Sequence, residues 1–481
     1  MLLSKLISEL SYVRIVNFVD REIINMTHDS TQENINGIFC AIKGTNVDGH
    51  EKCEESIKNG SVCVLCEHEI KNIKVVQVIV PDVRKAMSIL AKKMSDNACD
   101  KLHIIGVTGT NGKTTTVNLI ASVLRVAGYR VATIGTMGAV IDDEIINTGF
   151  TTPDPIILHS TFAYMVEKGV EYVVMEISAH AIALRKMEGV VIDSMVLTNI
   201  TPEHLDFFKT MENYAKVKLD YVFSDNVKKT IVNIDDDIIR ADARVLSDTI
   251  TFGLDNPGDV FAVNIVENDG MNFVVNACDK LIEIRTNLIG RYNIYNIMSA
   301  IAVCVDMGIN AMDIANGICS ATSVAGRMEV YRVGEKTIVV DFAHTPDGFT
   351  QSLSTIKSHF GNNITTIFGC VWYSDEEKRK LMGKCASAYS KKIIITTDNI
   401  GDADFDKIAN EMFYDKESRV KLADKLARAL TDLFERRNKI AHQADRNHQT
   451  GDLYDINRQD VENAIGVVET FVTTVHKLLT E

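Results

Sequence analysis

Short apolar runs alternate with longer amphipathic stretches along most of this chain. Residues 102–116 read as a buried strand, a glycine loop and a helix start, and further β-rich runs recur at 131–134, 172–177, 195–200 and 230–234, separated by helical patterns. That alternation predicts a largely parallel sheet covered by helices, a fold of the α/β class. Upstream, runs at 38–42, 62–66 and 75–80 with a Pro81-Asp82 turn predict a small α/β domain. Residues 250–287 alternate around turn signals such as Asn268-Asp-Gly-Met and read as antiparallel strands, followed by a helix over 293–307. After Gly326 a third α/β unit begins, with strands near 337–342, 365–370 and 393–396. From about residue 416 two amphipathic helices follow, one carrying Leu422, Leu426, Leu430, Leu433 and Phe434, the other Val461, Ile465, Val468, Phe471, Val472 and Val475. The expected units are residues 1–97, 98–325, 326–415 and a helical tail, 416–481.

A chain of 481 residues is too long for one core, which agrees with that division. A hydrophobic share of 46% with 24% charged residues describes a soluble globular protein. The net charge of −14 argues against broad nucleic-acid binding, so a phosphate site has to be a local positive pocket. Lys5 and Glu9 interrupt the N-terminal apolar residues, which read as a short amphipathic helix and not as a signal peptide, and no stretch is long enough to span a bilayer. Of the ten cysteines only Cys63 and Cys66 form a Cys-x-x-Cys pair, and they sit in an apolar run that favours buried strand thiols over a zinc or redox site. The expected compartment is the reducing cytoplasm.

The loop Gly109-Thr-Asn-Gly-Lys-Thr-Thr115 carries phosphate chemistry. Gly109 and Gly112 let the backbone approach phosphate oxygens, unpaired N–H groups at the helix start point at them, and Lys113 adds a positive charge. Thr114 offers a hydroxyl to magnesium. The spacing is a variant of the usual P-loop, because Val107 stands where another glycine is expected.

Downstream come Met175-Glu-Ile-Ser-Ala-His180, Leu197-Thr-Asn-Ile-Thr-Pro-Glu-His-Leu-Asp206, Tyr214-Ala-Lys-Val-Lys218, Gly290-Arg-Tyr-Asn-Ile-Tyr-Asn296, Gly326-Arg-Met-Glu329 and Asp341-Phe-Ala-His-Thr-Pro-Asp347. Singly each is weak: His180 could be an ordinary core or surface histidine, Asp206 a helix cap and Lys218 a surface lysine. Their order beside the glycine loop, with Asp29-Ser30, Lys43-Gly44, Asp48-Gly-His50 and Thr151-Thr-Pro-Asp154, resembles the Mur ligases over residues 29 to about 400.

That resemblance implies a three-domain fold with a central P-loop-type sheet and a Rossmann-like third domain. It implies a reaction in which ATP phosphorylates a carboxylate of a UDP-N-acetylmuramoyl dipeptide and an amino acid's amine attacks the acyl phosphate, in peptidoglycan precursor synthesis. Gly109, Thr110, Asn111, Gly112, Lys113, Thr114, Thr115, Asn199, Asn293, Asn296, Arg327, Asp341 and His344 would contact the nucleotide. Thr114, Glu176, His204 and Lys218 would serve magnesium, the last as a carbamate; Lys113, Lys218 and His204 would be catalytic. Ser30, Thr151, Thr152, Pro153, Ser178, His180 and Arg185 would hold the muramoyl substrate. A hinge is implied near residues 320–326.

The pattern departs from the family at Asp29-Ser-Thr31, at Val371-Trp-Tyr-Ser374, at Asp398-Asn-Ile-Gly401, which lacks the expected arginine, and in the absence of a terminal Gly-Lys-Gly-His-Glu segment. These departures leave nucleotide and acceptor sites intact and alter the incoming amino-acid site. Two alternatives therefore stand beside the ligase: a paralogue acting on another carboxylate, and a non-catalytic nucleotide-binding protein signalling through its tail. The tail segment Arg436-Arg-Asn-Lys-Ile-Ala-His442 resembles part of a HEPN domain, in which Arg437 and His442 would cleave RNA. A solvated helix face and a self-associating helical pair are the other readings, since the apolar stripes require a partner surface.

Overall fold

The computed structural model describes residues 1–395 except 12, 45–46, 247–248, 269, 334–335 and 371–375. The first unit is a five-stranded sheet in the order Arg14–Val16, Val76–Ile79, Ser61–Cys66, Gly37–Cys40, Asn25–Thr27, parallel except for the antiparallel Arg14–Val16 edge. Alternation along Ser61–Cys66 sends Cys63 and Cys66 to opposite faces: Cys63 packs with Ile38 and Leu65, Cys66 with Phe39 and Val64. They therefore cannot share one metal ion, and burial pushes the Cys66 thiol up to about 11. The helix Val83–Met94, capped by Asp82 accepting from the Lys85 amide, buries Val83, Ala86, Met87 and Leu90 on the sheet.

The central unit is an eleven-stranded sheet. Its parallel middle runs Thr249–Phe252, Val227–Asn233, Ile192–Leu197, His103–Thr108, Tyr172–Glu176, Val131–Gly135. Of the run 250–287 expected as antiparallel, Thr249–Phe252 instead joins the parallel middle and meets Val260–Asn268 in parallel, while Val260–Asn268, Gly270–Ala277 and Lys280–Thr286 pair antiparallel with one another and extend this same sheet on one side. Gly138–Ile141 and Glu144–Ile146 extend it, also antiparallel, on the other. Even and odd strand positions feed two cores. One face packs under the helices Lys113–Val126, Arg291–Asp306 and Ala311–Ser320; the other packs against Pro155–Glu167 and Met211–Val222.

Residues 321–326 are non-helical and lead into the third unit. There Glu329–Val333 pairs antiparallel with Lys336–Val340, and Thr365–Phe368 pairs parallel with Lys392–Ile395. The helices Pro346–Phe360 and Glu376–Tyr389 accompany them, the first capped by the Thr345 hydroxyl accepting from the Gly348 amide. Among the described residues no helix is long and apolar enough to cross a membrane.

Candidate active site

The carboxyl ends of the central parallel strands meet the third unit around a cleft of about 650 Å³. That is where an open α/β sheet places its ligand. The glycine loop leaves the strand His103–Thr108 with Gly109 at φ 142° and ends with Gly112 at φ 88° as the N-cap of Lys113–Val126. Both values favour glycine, and a Cβ on Gly109 would lie 2.0 Å from Thr198 Oγ1. Asn199 holds the loop by its backbone: its Oδ1 accepts from the Asn111 amide (2.9 Å) and its Nδ2 donates to the Asn111 carbonyl (3.0 Å). Lys113 Nζ donates to the carbonyls of Gly109 (3.0 Å) and Thr110 (2.8 Å), so its charge is held over the loop.

Glu176 ends its strand buried, and its Oε1 accepts from Thr114 Oγ1 (3.0 Å) and from the Thr136 amide (2.9 Å). His204, in the left-handed region at φ 55°, begins a short turn of helix and stacks edge-on to His180 with 4.5 Å between rings. Burial pushes the His204 imidazole down to about 4, Glu203 opposing and His180 and Lys113 assisting. Lys218, 1% exposed, lies beneath the loop and donates to the Gly109 carbonyl (2.9 Å). Burial first, and the charge of Lys113 second, lower its affinity for a proton well below that of an ordinary lysine, while Glu203 acts the other way.

The third unit reaches the loop directly. Arg327 donates to Thr114 Oγ1 (3.1 Å) and lies over the Phe342 ring. Asn111 Nδ2 donates to Asp347 (3.2 Å), and Thr345 Oγ1 donates to Asn111 Oδ1 (3.3 Å). Asp341 is tied locally, accepting from the Met328 amide (3.0 Å) and the Ser352 hydroxyl. His344 places Nε2 2.8 Å from Glu203 and Nδ1 3.1 Å from the Phe342 carbonyl. Asn296 donates to Asn293 (3.0 Å), which donates to the Ile289 carbonyl (2.8 Å).

The cleft thus brings together Thr110, Asn111, Gly112, Lys113, Thr114 and Thr115 with Glu176, Asn199 and His204. From the other side it is lined by Asn293, Asn296, Arg327, Asp341 and His344, and Thr151 and Ser178 reach its edge. The other expected substrate residues do not line it. Ser30 lies in the first unit and donates to Glu55 (2.9 Å). Thr152 is a brace: its hydroxyl donates to the Glu176 carbonyl (3.0 Å) and accepts from the Ser178 amide (3.0 Å). Pro153 precedes Asp154, the N-cap of Pro155–Glu167.

Arg185, expected to hold the muramoyl substrate, does not line the cleft. Its backbone turns left-handed at φ 59°, which carries the half-exposed guanidinium toward Asp82 (3.5 Å) and Glu188 (3.6 Å). Lys186 points inward instead: buried, it pairs with Asp154 (2.7 Å), donates to the Thr152 carbonyl (3.3 Å) and lies over the Phe150 ring. The sequence reading missed Lys186, Glu203 and Thr136. Glu203 had a signal, its place between Pro202 and His204; Thr136 had none.

Magnesium fits part of the expected set. Glu176 is a buried carboxylate whose hydrogen-bond partners, Thr114 and Thr136, are neutral, so a cation complements it. Thr114 and neutral His204 are competent donors, whereas Lys218 as an amine donates only and fits a cation only after carbamylation. Among the described residues no group of three or more His, Cys, Asp or Glu side chains is placed to hold a metal ion, and a magnesium held by one carboxylate and substrate phosphates needs no such group. The altered segments 371–374 and 398–401, and the tail with Arg437 and His442, lie outside the described residues.

Comparison with known proteins matches residues 107–304 to the Mur ligase middle domain and residues 326–445 to the Mur ligase glutamate ligase domain. A Clostridium acetobutylicum protein named UDP-N-acetylmuramoyl-L-alanyl-D-glutamate–2,6-diaminopimelate ligase 1 is 35% identical over 83% of this chain and 84% of its own length. The ligase of that name from Geobacillus thermodenitrificans is 35% identical over 81% and 82%. Among solved structures, a UDP-N-acetylmuramoyl-L-alanyl-D-glutamate–2,6-diaminopimelate ligase superposes with a TM-score of 0.63 at 26% identity, covering 86% of this chain and 87% of the other. The MurF ligase of Thermotoga maritima in complex with ADP shares the fold, with a TM-score of 0.60 at 21% identity over 85% and 90% of the two chains.

Proposed function

The chain belongs to the Mur ligase family, and on that premise we propose that it joins an amino acid to the carboxylate of a UDP-N-acetylmuramoyl dipeptide through an acyl phosphate, in peptidoglycan precursor synthesis. It is an ATP-dependent ligase that uses magnesium. The observation that carries the reading is the cleft itself, where the glycine loop with Lys113, the Glu176 carboxylate, His204 and the third unit's Arg327 converge.

In this reading the loop amides and Lys113 bind the triphosphate, and Asn199 keeps the loop in the shape that points those amides outward. Thr114, Glu176 and His204 would hold magnesium, which when bound neutralises charge on the transferring phosphoryl group. Lys186, rather than Arg185, offers the cation facing the acceptor side, beside the Thr151 to Asp154 turn. Lys218 is buried with its proton affinity lowered, the direction that favours the neutral amine carbamylation requires. The reaction is assigned to the cytoplasm, where nucleotide-linked precursors and ATP are found together. The amino acid joined by the Clostridium acetobutylicum and Geobacillus ligases is 2,6-diaminopimelate, which is the first candidate here.

The test is direct. Purified protein with ATP, magnesium, UDP-N-acetylmuramoyl-L-alanyl-D-glutamate and a pool of amino acids including diaminopimelate should yield one new UDP-linked mass and stoichiometric ADP. ADP bound without any new product would overturn the reading.

A further inference from the structure

Glu203 has no role in the chemistry above, yet it is among the most constrained charges in the cleft. It is 7% exposed, set between Pro202 and the left-handed His204, and three elements converge on it. From the helix Met211–Val222, the Tyr214 hydroxyl lies 3.4 Å away and also meets Thr110 Oγ1 at 3.1 Å, linking Glu203 to the glycine loop. From its own segment, His204 Nε2 lies at 3.7 Å. From the third unit, His344 Nε2 lies at 2.8 Å, with Nδ1 anchored on the Phe342 carbonyl. A buried carboxylate needs such a partner, and Tyr214, a neutral donor at long range, does not supply it.

We propose that Glu203 is a positioning residue, the tie that holds the third unit against the glycine loop by way of His344. Other polar contacts across this boundary are Asn111 with Asp347 and Thr345, Arg327 with Thr114 and, outside the cleft lining, His359 with Glu267. Glu203 is the buried carboxylate among them that reaches both the third unit and, through Tyr214, the glycine loop, so it can keep the two aligned. Its kinetic consequence rests on the ligase reading; its structural consequence does not.

The experiment compares the full chain with Glu203→Gln, His344→Gln and the double variant by hydrogen–deuterium exchange and by ADP formation. Each single variant is expected to speed amide exchange in residues 108–116 and 341–350 on the order of tenfold, with the double no faster than either single. Exchange in the strand Ser61–Cys66 should not change, which separates loss of the tie from general unfolding. In Glu203→Gln turnover should fall about tenfold or more while the KM for ATP moves less than about threefold, as expected for lost alignment. Unchanged local exchange in either single variant, or additive effects in the double, would overturn the proposal. If Glu203→Gln does not fold, the half-exposed His344→Gln breaks the same contact and decides alone. A wild-type protein that makes no product sinks the ligase reading and leaves the exchange result to judge the tie.

Discussion

Gly109→Ala tests whether the loop's shape comes from close packing as well as from backbone freedom. The added Cβ would sit 2.0 Å from Thr198 Oγ1 and 3.1 Å from the Asn199 amide nitrogen and carbonyl oxygen. Thr198 cannot step aside, because its hydroxyl bonds the Asn111 carbonyl at 2.6 Å and so fixes the loop. Breaking that bond and shifting the overpacked loop costs about 1–3 kcal/mol, and placing alanine at φ 142° adds about 1–3 kcal/mol of backbone strain. Gly308→Ala is the control: its φ is 79°, but nothing lies within 4 Å of its Cβ, so only the backbone penalty of about 1–2 kcal/mol applies. The excess for Gly109→Ala is then about 2 kcal/mol, or roughly thirtyfold in an equilibrium constant. Calorimetric ADP titration and urea melts of both variants should show that excess as weakened nucleotide binding, reduced stability or a division between them. Gly109→Ala matching Gly308→Ala in both measurements would refute the close-packing argument.

Replacing Lys113 by alanine should cut ADP formation by about 10²-fold or more with folding intact, because a preorganised charge at the transferring phosphate is lost. Lys186→Met should raise the KM for the muramoyl substrate at least about tenfold, as expected for a charge-assisted contact, whereas Arg185→Ala should leave it within about threefold. Thr152→Val should destabilise the protein by about 2 kcal/mol in urea melts, since both hydroxyl bonds bracing residues 176–178 are lost, and Thr152→Ser should restore most of it. His159 is fully buried with neither ring nitrogen hydrogen-bonded, and burial, with Lys92 assisting and Asp100 opposing, depresses it from 6.5 to about 4. The unfolded chain therefore binds the extra proton first, so stability present above pH 6.5 should fall as pH drops toward about 4, by at most about 3 kcal/mol. His159→Phe should flatten that part of the pH–stability curve.

What could be read from the sequence was local. The strand, glycine loop and helix of residues 103–126 are adjacent in the chain, and their apolar period and glycines specify them without distant partners. The edge strands Arg14–Val16 and Asn25–Thr27 were missed because three residues each, with polar Arg14, Asn25 and Thr27 among them, leave no apolar run to recognise. Arg185 and Lys186 show a finer limit. They are adjacent cations, and composition cannot say which is buried; in the fold Arg185 stays half-exposed beside Asp82 and Glu188, while Lys186 is buried against Asp154. Among the described residues three of the third unit's strands fall close to their expected places, because each is an apolar run bounded by polar turns, whereas Glu329–Val333, with Glu329 and Arg332 in it, had no expected place.

The contacts that assemble the site belong to another class. Lys113 reaches its loop carbonyls across three and four residues. Asn111 meets Asp347 across 236 residues, Thr114 meets Arg327 across 213, and Glu203 meets His344 across 141. Motifs name the members of such pairs but not the pairings, since the fold alone sets which strand end faces which unit. The long-range pairs all cross one boundary, so a rigid-body movement of the third unit breaks or makes them together. Loop shape can then persist while alignment is lost. On that account, glycine substitutions that change the loop's shape should act on nucleotide affinity, and substitution of Glu203 should act on turnover with affinity largely kept.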